Sequence, residues 1–342
     1  MNLLVTGGAG FIGSNFIRFI LNNYHDISIV NYDLLTYAGN LKNLEGVEEQ
    51  FYGRYKFVHG DICDRNTVRD IFHNNKFTAV AHLAAESHVD RSIQSSDVFV
   101  RTNVLGTQIL LDVALEFQVE RFLYVSTDEV YGALKENDLP WTEESPILPN
   151  NPYSASKAGA ECLARSYLKT YNLPVVITRS SDNYGPYQFP EKFIPLCISN
   201  AIEGKPIPLY GDGSNIRDWV YVEDNCRALS RVLLKGQPGS IYNIGSNNQK
   251  RNREVAELIL ESMGKTYDLI HTVSDRKGHD YKYAMDCRKI QKELGWKTEV
   301  SFEDGIKRTI EWYLGNGEWV RDCQKSDKVI KKNRMQNAGS RD

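Results

Sequence analysis

Short apolar runs alternate with longer amphipathic segments through the first half of the chain. Leu3–Thr6, Ile27–Tyr32, Tyr55–Val58, Ala79–Leu83, Arg121–Val125 and Val175–Thr178 are brief, rich in Val, Ile and aromatic residues, and apolar on both faces. That pattern predicts strands covered from two sides, as in a parallel sheet, because a half-exposed strand would alternate polar and apolar positions. Between them, Gly13–Asn23, Asp64–His73, Asp97–Phe117 and Pro152–Tyr171 repeat apolar positions at helical spacing. The alternation predicts an α/β fold, a doubly wound parallel sheet of Rossmann type with helices on both faces.

After about residue 180 the texture changes. Pro, Gly and aromatic residues crowd together in Tyr184-Gly185-Pro186-Tyr187-Gln188-Phe189-Pro190. We expect a nucleotide-binding domain over 1–180 and a smaller mixed α/β substrate lobe over 181–320. Val220–Leu234 and Ile241–Gly245 read as one more helix and strand, so 220–245 is expected to return to the first layer. Residues 325–342 are polar, rich in Lys, Arg and Asn, and read as a flexible tail.

Composition narrows the functional classes. A net charge of −3 over 342 residues gives no basic surplus for nucleic acid. The six cysteines lack any C-x-x-C pair, and read as free thiols in a reducing compartment with no metal site. The first residues already form an apolar strand with no basic leader before it, and no apolar run approaches the ~20 residues of a membrane span. The expectation is a cytoplasmic protein that does not engage a membrane.

Thr6-Gly7-Gly8-Ala9-Gly10-Phe11-Ile12-Gly13 follows the first strand and opens a helix. Glycines at 7, 10 and 13 permit a tight turn and close approach of a pyrophosphate to free N–H groups at the helix start. Asp33, twenty residues past Gly13 at the end of the second strand, suits the adenosine ribose and repels a 2′-phosphate. No Arg lies in 32–40, so NAD is expected rather than NADP. Asp61 and Ile62 end the third strand; Leu83, Ala84, Ala85 and Ser87 end or follow the fourth, facing the same crevice.

Two further groups carry chemistry. Tyr153 and Lys157 stand four apart on one helical face. A phenol of pKa ~10 becomes a usable base only beside positive charge, which Lys157 and a nicotinamide ring would supply. Asp128 and Glu129 directly follow the apolar strand Phe122-Leu123-Tyr124-Val125. Two carboxylates in a partly dry crevice do not both ionise easily, so one tends to keep a proton and act as acid while the other acts as base. Thr127 is placed to hydrogen-bond a hydroxyl undergoing oxidation. A Tyr–Lys pair joined to an acid and a base suggests oxidation that sets up an elimination.

With these motifs the chain resembles the extended short-chain dehydrogenases/reductases, and among them the nucleotide-sugar 4,6-dehydratases acting on dTDP-glucose. The resemblance spans about residues 1 to 315 and rests on 85–92 (AESHVDRS), Thr127-Asp128-Glu129, 184–192 (YGPYQFPEK), Arg217-Asp218-Trp219 and Gly278-His279-Asp280. It implies a lyase with bound NAD, redox-neutral overall, in which Tyr153 deprotonates the 4-hydroxyl, Glu129 removes the C5 proton and Asp128 protonates the departing C6 hydroxyl. It also implies cofactor contacts at Phe11, Ile12, Thr36, Thr102 and Asn183. Substrate contacts fall at Ser87, Thr127, Asp182, Lys192, Phe193, Arg217, Asn252, Arg276 and His279. It implies a homodimer built through a four-helix bundle of 102–117 and 152–171, and a deoxysugar product of the kind that leads to rhamnose.

Two positions depart from the family pattern. Asp182 stands where an Asn is usual, and its carboxylate would repel a diphosphate unless paired or turned away. Leu34 stands where some relatives carry a cation. Three other readings remain at this point, one of them a dehydratase that acts on another nucleotide-linked hexose. A nucleotide-sugar 4-epimerase shares the cofactor turn and the Tyr–Lys pair but has no use for Asp128 and Glu129, whereas a non-catalytic NAD-binding protein needs neither pair.

Overall fold

The computed structural model describes residues 1–275 and 278–325. In chain order its strands are β1 (Asn2–Thr6), β2 (Ser28–Asp33), β3 (Tyr55–His59), β4 (Ala79–His82), β5 (Arg121–Thr127), β6 (Val175–Ser180), β7 (Asp182–Tyr184), β8 (Ile207–Tyr210), β9 (Ile216–Tyr221), β10 (Ile241–Ile244), β11 (Gln249–Arg251) and β12 (Ile270–Val273). Seven of them form one parallel sheet in the order β10-β6-β5-β4-β1-β2-β3. The order reverses between β1 and β4, which opens the crevice that nucleotides use in such sheets.

The continuous apolar runs have their cause here: every residue of β4 and β6 is buried. Helices Phe11–Asn23 and Val222–Lys235 pack on one face of the sheet; Arg65–Asn75, Thr107–Glu116 and Pro152–Tyr171 pack on the other. Strand β5 runs two residues beyond its apolar stretch, because Ser126 and Thr127 stay paired with Arg179 and Ser180. Asp128 and Glu129 then leave the sheet in a short 3-10 turn.

The second lobe holds the mixed sheet β11-β9-β7 and the pair β12-β8. Its own core includes Tyr184, Trp219, Ile259, Phe302 and Tyr313. Residues 317–325 are helical and lie over the loop that follows β2. There Trp319 Nε1 donates to Asn43 Oδ1 at 2.8 Å and Lys42 Nζ meets Asp322 at 2.7 Å. The expected tail at 325–342 lies outside the described residues, apart from Lys325.

One expectation needs correcting. The segment Asp97–Glu116 is a continuous helix of 20 residues, long and apolar enough to cross a membrane by length and composition. Half of it is buried within the protein. Its apolar side meets Pro152–Tyr171 and Arg65–Asn75, so core packing accounts for its composition.

Candidate active site

The glycine-rich turn is built for a close-lying ligand. Gly7 has φ +73°, and a Cβ there would lie 2.5 Å from the Ala84 nitrogen. A Cβ on Gly13 would lie 2.2 Å from the Gly7 carbonyl oxygen. The turn closes through Gly10 N–H to Gly7 O at 3.2 Å and hands over to the helix through Ser14 N–H to Gly10 O at 3.0 Å. Gly7, Gly10, Phe11, Ile12, Gly13, Asp33, Thr36, Asp61, Ile62, Leu83, Ala84, Ala85, Ser87, Thr102, Tyr153 and Lys157 all line one continuous cleft. This cradle fits a dinucleotide from the glycine turn to the Tyr–Lys pair.

Asn183 is the exception among the expected cofactor contacts, since it is not on the cleft wall. Its amide donates to the Ser181 carbonyl at 2.9 Å, which holds the side chain against its own strand. Asp33 accepts from the backbone N–H groups of Ala9 (2.9 Å) and Leu35 (2.8 Å). Burial nevertheless raises its carboxyl above the ordinary value, the two amides opposing the shift. Leu34 lies on the cleft wall with 42% exposure.

At the chemical end, the Thr127 hydroxyl lies near Tyr153 and donates to Asp128 Oδ1 at 3.3 Å. Asp128 is 2% exposed. Burial drives its carboxyl well above the usual range, with Asp182, Glu129 and Asp218 pushing the same way and Arg217 opposing. Each of these carboxylates thus favours the protonated form of Asp128. Glu129 Oε2 accepts from Asn151 Nδ2 at 3.2 Å.

The Tyr–Lys pair differs from its simplest expectation. Lys157 Nζ donates to the Val125 carbonyl at 2.7 Å and sits 4.5 Å from the centre of the Tyr124 ring. Burial lowers its ammonium to about 7. Tyr153 is raised, not lowered, by burial first and then by the charges of Glu129, Asp128 and Asp182, with only the Thr127 hydrogen bond opposing. The protein's own groups thus raise the phenol, and a nicotinamide ring held at this end of the cleft would supply the opposing positive charge.

On the substrate side, Lys192 lies on the cleft wall with Nζ donating to the Ser87 carbonyl at 2.9 Å. Phe193 stacks on Trp219 at 6.2 Å between ring centres. His279 Nδ1 meets Asp275 at 2.6 Å. Asn252 opens a helix, its N–H on the Asn215 carbonyl at 2.9 Å. Arg276 lies outside the described residues.

Arg217 is held by the backbone around it. It is 5% exposed, and its Nη atoms donate to the carbonyls of Ile216 (2.8 Å), Tyr281 (3.4 Å) and Asp280 (3.0 Å). Its Nε faces Asp182 at 3.8 Å. The carboxylate whose repulsion needed a partner therefore has one.

Several site residues escaped the sequence reading. Asn151 caps helix Pro152–Tyr171, accepting from Ser154 N–H at 2.9 Å, while its amide holds Glu129. An Asn-Pro step ahead of a helical pattern is a visible cap signal, but nothing local ties it to Glu129. Arg91 lies 3.7 Å over the Tyr37 ring and pairs with Glu191 at 2.8 Å, beside the cofactor cleft. Asp280 takes bonds from Asn150 and Tyr283, both at 2.6 Å. These pairings join distant segments and leave no spacing pattern.

Cleft, strand-end acids and Tyr–Lys helix together define an extended short-chain dehydrogenase/reductase. More narrowly, the chain belongs to the GDP-mannose 4,6 dehydratase family, whose model matches residues 4–309. The dTDP-glucose 4,6-dehydratase of Salmonella typhimurium is 48% identical, over 95% of this chain and 96% of its own. The low-salt glycan biosynthesis protein Agl12 of Haloferax volcanii is 52% identical, over 93% of this chain and all of its own. Among solved structures, the dTDP-glucose 4,6-dehydratase DesIV of Streptomyces venezuelae, crystallised with NAD, superposes with a TM-score of 0.91 at 49% identity, covering 94% of this chain and 100% of that one.

Proposed function

We propose that this chain is an NAD-dependent dTDP-glucose 4,6-dehydratase, a hydro-lyase that turns dTDP-glucose into dTDP-4-keto-6-deoxyglucose and water. The Gly7–Gly13 turn and Asp33 hold the cofactor's pyrophosphate and ribose, with Tyr153 and Lys157 at its nicotinamide end. Bound NAD supplies an acceptor for the C4 hydride and its later donor to C6, and is unchanged over the cycle.

Tyr153, aligned by Thr127, takes the proton of the sugar 4-hydroxyl. The resulting C4 ketone acidifies the C5 hydrogen, which Glu129 removes as a proton. Asp128 gives its proton to the C6 oxygen; the C6–O bond breaks, its electron pair leaves with water, and a C5–C6 double bond forms. Glu129 then returns the proton to C5. Lys192 provides positive charge for the diphosphate.

The observation that carries this reading is Asp128, buried at the end of β5 with its carboxyl raised by burial, beside Glu129 held by Asn151. The fold alone does not choose: the UDP-glucose 4-epimerase of Thermus thermophilus superposes with a TM-score of 0.85 at 30% identity. Epimerisation uses no acid–base pair at C5 and C6, so the two carboxylates favour dehydration. Purified protein is incubated separately with dTDP-, UDP-, CDP- and GDP-hexoses and the products weighed by mass spectrometry. Loss of one water from dTDP-glucose without added reductant is expected; an isomer of unchanged mass would overturn the reading in favour of epimerisation.

The same proposal covers association and place. Helices Asp97–Glu116 and Pro152–Tyr171 lie side by side and leave Val100, Leu105 and Tyr171 about half exposed. Two copies pairing these helices about a two-fold axis would make a four-helix bundle and a homodimer. A deoxysugar pathway in the cytoplasm is the setting in which such an enzyme works.

A further inference from the structure

The chain enters helix Pro152–Tyr171 through Leu148-Pro149-Asn150-Asn151-Pro152. Neither proline has an N–H to donate, and each pushes the residue before it toward extended geometry. Upstream, Leu148 N–H donates to the Val130 carbonyl at 2.9 Å. Downstream, Asn151 stands at φ −139° and ψ 162°, extended and outside the helix that it caps. The short step between these points is held by side chains. Its two asparagines reach different partners: Asn151 Nδ2 donates to Glu129 Oε2 at 3.2 Å, and Asn150 Nδ2 donates to Asp280 Oδ1 at 2.6 Å.

Asp280 is anchored from the β9 side. Its backbone carbonyl accepts from Arg217 Nη2 at 3.0 Å and from Asn215 Nδ2 at 3.3 Å. Its Oδ2 accepts from the Tyr283 hydroxyl at 2.6 Å, and the Arg217 guanidinium lies 4.2 Å over the Tyr283 ring. The backbone of the same segment also lies against the step, since a Cβ on Gly278 would be 3.5 Å from the Asn150 carbonyl oxygen. Asp280 is only 4% exposed, and a carboxylate so placed needs partners for its oxygens. One of those partners belongs to the step that grips Glu129.

We propose that Asp280 is a positioning residue for removal of the C5 proton. Through Asn150 it ties the Asn150–Asn151 step to β9, and so sets where the Asn151 amide holds Glu129. This rests on the dehydratase reading above. The line of contact runs Arg217, Asp280, Asn150, Asn151, Glu129, each link a hydrogen bond or a peptide bond. It joins the smaller lobe to the end of β5, where the acids stand. A base moved by about 1 Å from the proton it attacks loses rate by about 10²-fold, whereas binding tolerates such a shift. Loss of Asp280 is therefore felt at the C5 step.

The test is a single turnover of dTDP-glucose, and of dTDP-glucose carrying deuterium at C5, by the full chain and its variants. Reduced-nicotinamide absorbance and water loss by mass spectrometry are followed together. In Asp280→Ala, C5 deprotonation should slow by about tenfold or more. Reduced nicotinamide should then accumulate after C4 oxidation, the isotope effect on water loss should rise above that of wild type, and KM should hold. Asp280→Asn keeps an oxygen for the Asn150 amide and should restore most of the rate. Asn150→Ala should reproduce the Asp280→Ala behaviour, and the double variant should be no slower than either single one, because all three break the same link. A thermal melt checks folding; should Asp280→Ala not fold, Asn150→Ala, at an exposed position, carries the expectation alone. A raised KM with an unchanged isotope effect would make Asp280 a substrate contact only and overturn the proposal. Equal loss of C4 oxidation and water release would overturn it too, as would an Asn150→Ala protein that behaves as wild type. If wild-type protein releases no water from dTDP-glucose, the dehydratase reading falls and takes this inference with it; if wild type turns over and the variants leave the C5 step unchanged, only the inference falls.

Discussion

The Asp128 carboxyl is pushed toward its protonated form because it is buried, its Oδ2 makes no hydrogen bond among the described residues, and the charges of Asp182, Glu129 and Asp218 act in the same direction. A carboxyl raised in the folded state binds a proton that the unfolded chain has already released. Stability is then greatest below the unfolded value of ~4 and falls as pH rises toward the folded one. Asp128→Asn removes that penalty. It should melt at a higher temperature than wild type at neutral and alkaline pH, with the difference vanishing in acid. The same change should slow water loss by about 10²-fold or more while C4 oxidation persists, seen as accumulating reduced-nicotinamide absorbance. The adjacent acids were legible in sequence because they end an apolar strand. The restraint of Arg217 by three carbonyls was not legible, since it depends on loops at 280–281 that no spacing connects to β9.

Among the elements, helix Pro152–Tyr171 does the most. Its N-cap residue Asn151 satisfies the first turn with one end of its amide and holds Glu129 with the other. Asn151→Ala should cost about 1 kcal/mol in chemical denaturation and also reduce turnover. Asn151→Asp separates the two roles. Aspartate caps as well as asparagine, so stability should hold while activity drops, because the donor to Glu129 has become a second negative charge. The glycine turn gives a third check at this scale. Gly13→Ala places a methyl 2.2 Å from the Gly7 carbonyl oxygen, so the backbone must shift. The purified variant should carry less NAD per chain than wild type, measured on the acid-released cofactor. This turn was readable because glycine spacing, strand and helix agree along one stretch of chain. The bond from the Asn183 amide to the Ser181 carbonyl was not readable, because it is set by local geometry.

Across the whole molecule, the parallel sheet was readable from its apolar runs, whose burial on both faces the structure explains. The two smaller sheets were not readable in the same way. Their short strands pair between segments far apart in sequence, as β7 does with β9 and β8 with β12. Helix Asp97–Glu116 shows the same limit from the other side, since its composition alone does not separate a core helix from a membrane span. If its exposed edge pairs with a second copy, Leu105→Glu should convert a dimer to monomer in sedimentation at micromolar concentration, with the isolated chain still binding NAD. Wild-type protein that sediments as a monomer would remove the four-helix bundle from the account.

The helix at 317–325 has a meaning for how the protein is made. Lys42 and Asp322 are separated by 280 residues of chain, yet they meet on the loop beside the adenosine end of the cleft. During synthesis the glycine turn and its sheet neighbours leave the ribosome early, while Trp319 and Asp322 leave long afterwards. A nascent chain therefore has the sequence of the glycine turn well before it has the helix that covers the loop after β2. Any product released short of residue 319 would carry the turn, both acids and the Tyr–Lys pair but no cover over the loop at 40–43. The pocket beside this loop is accordingly completed late in translation, since Asp322 and Cys323 are made long after the loop they cover.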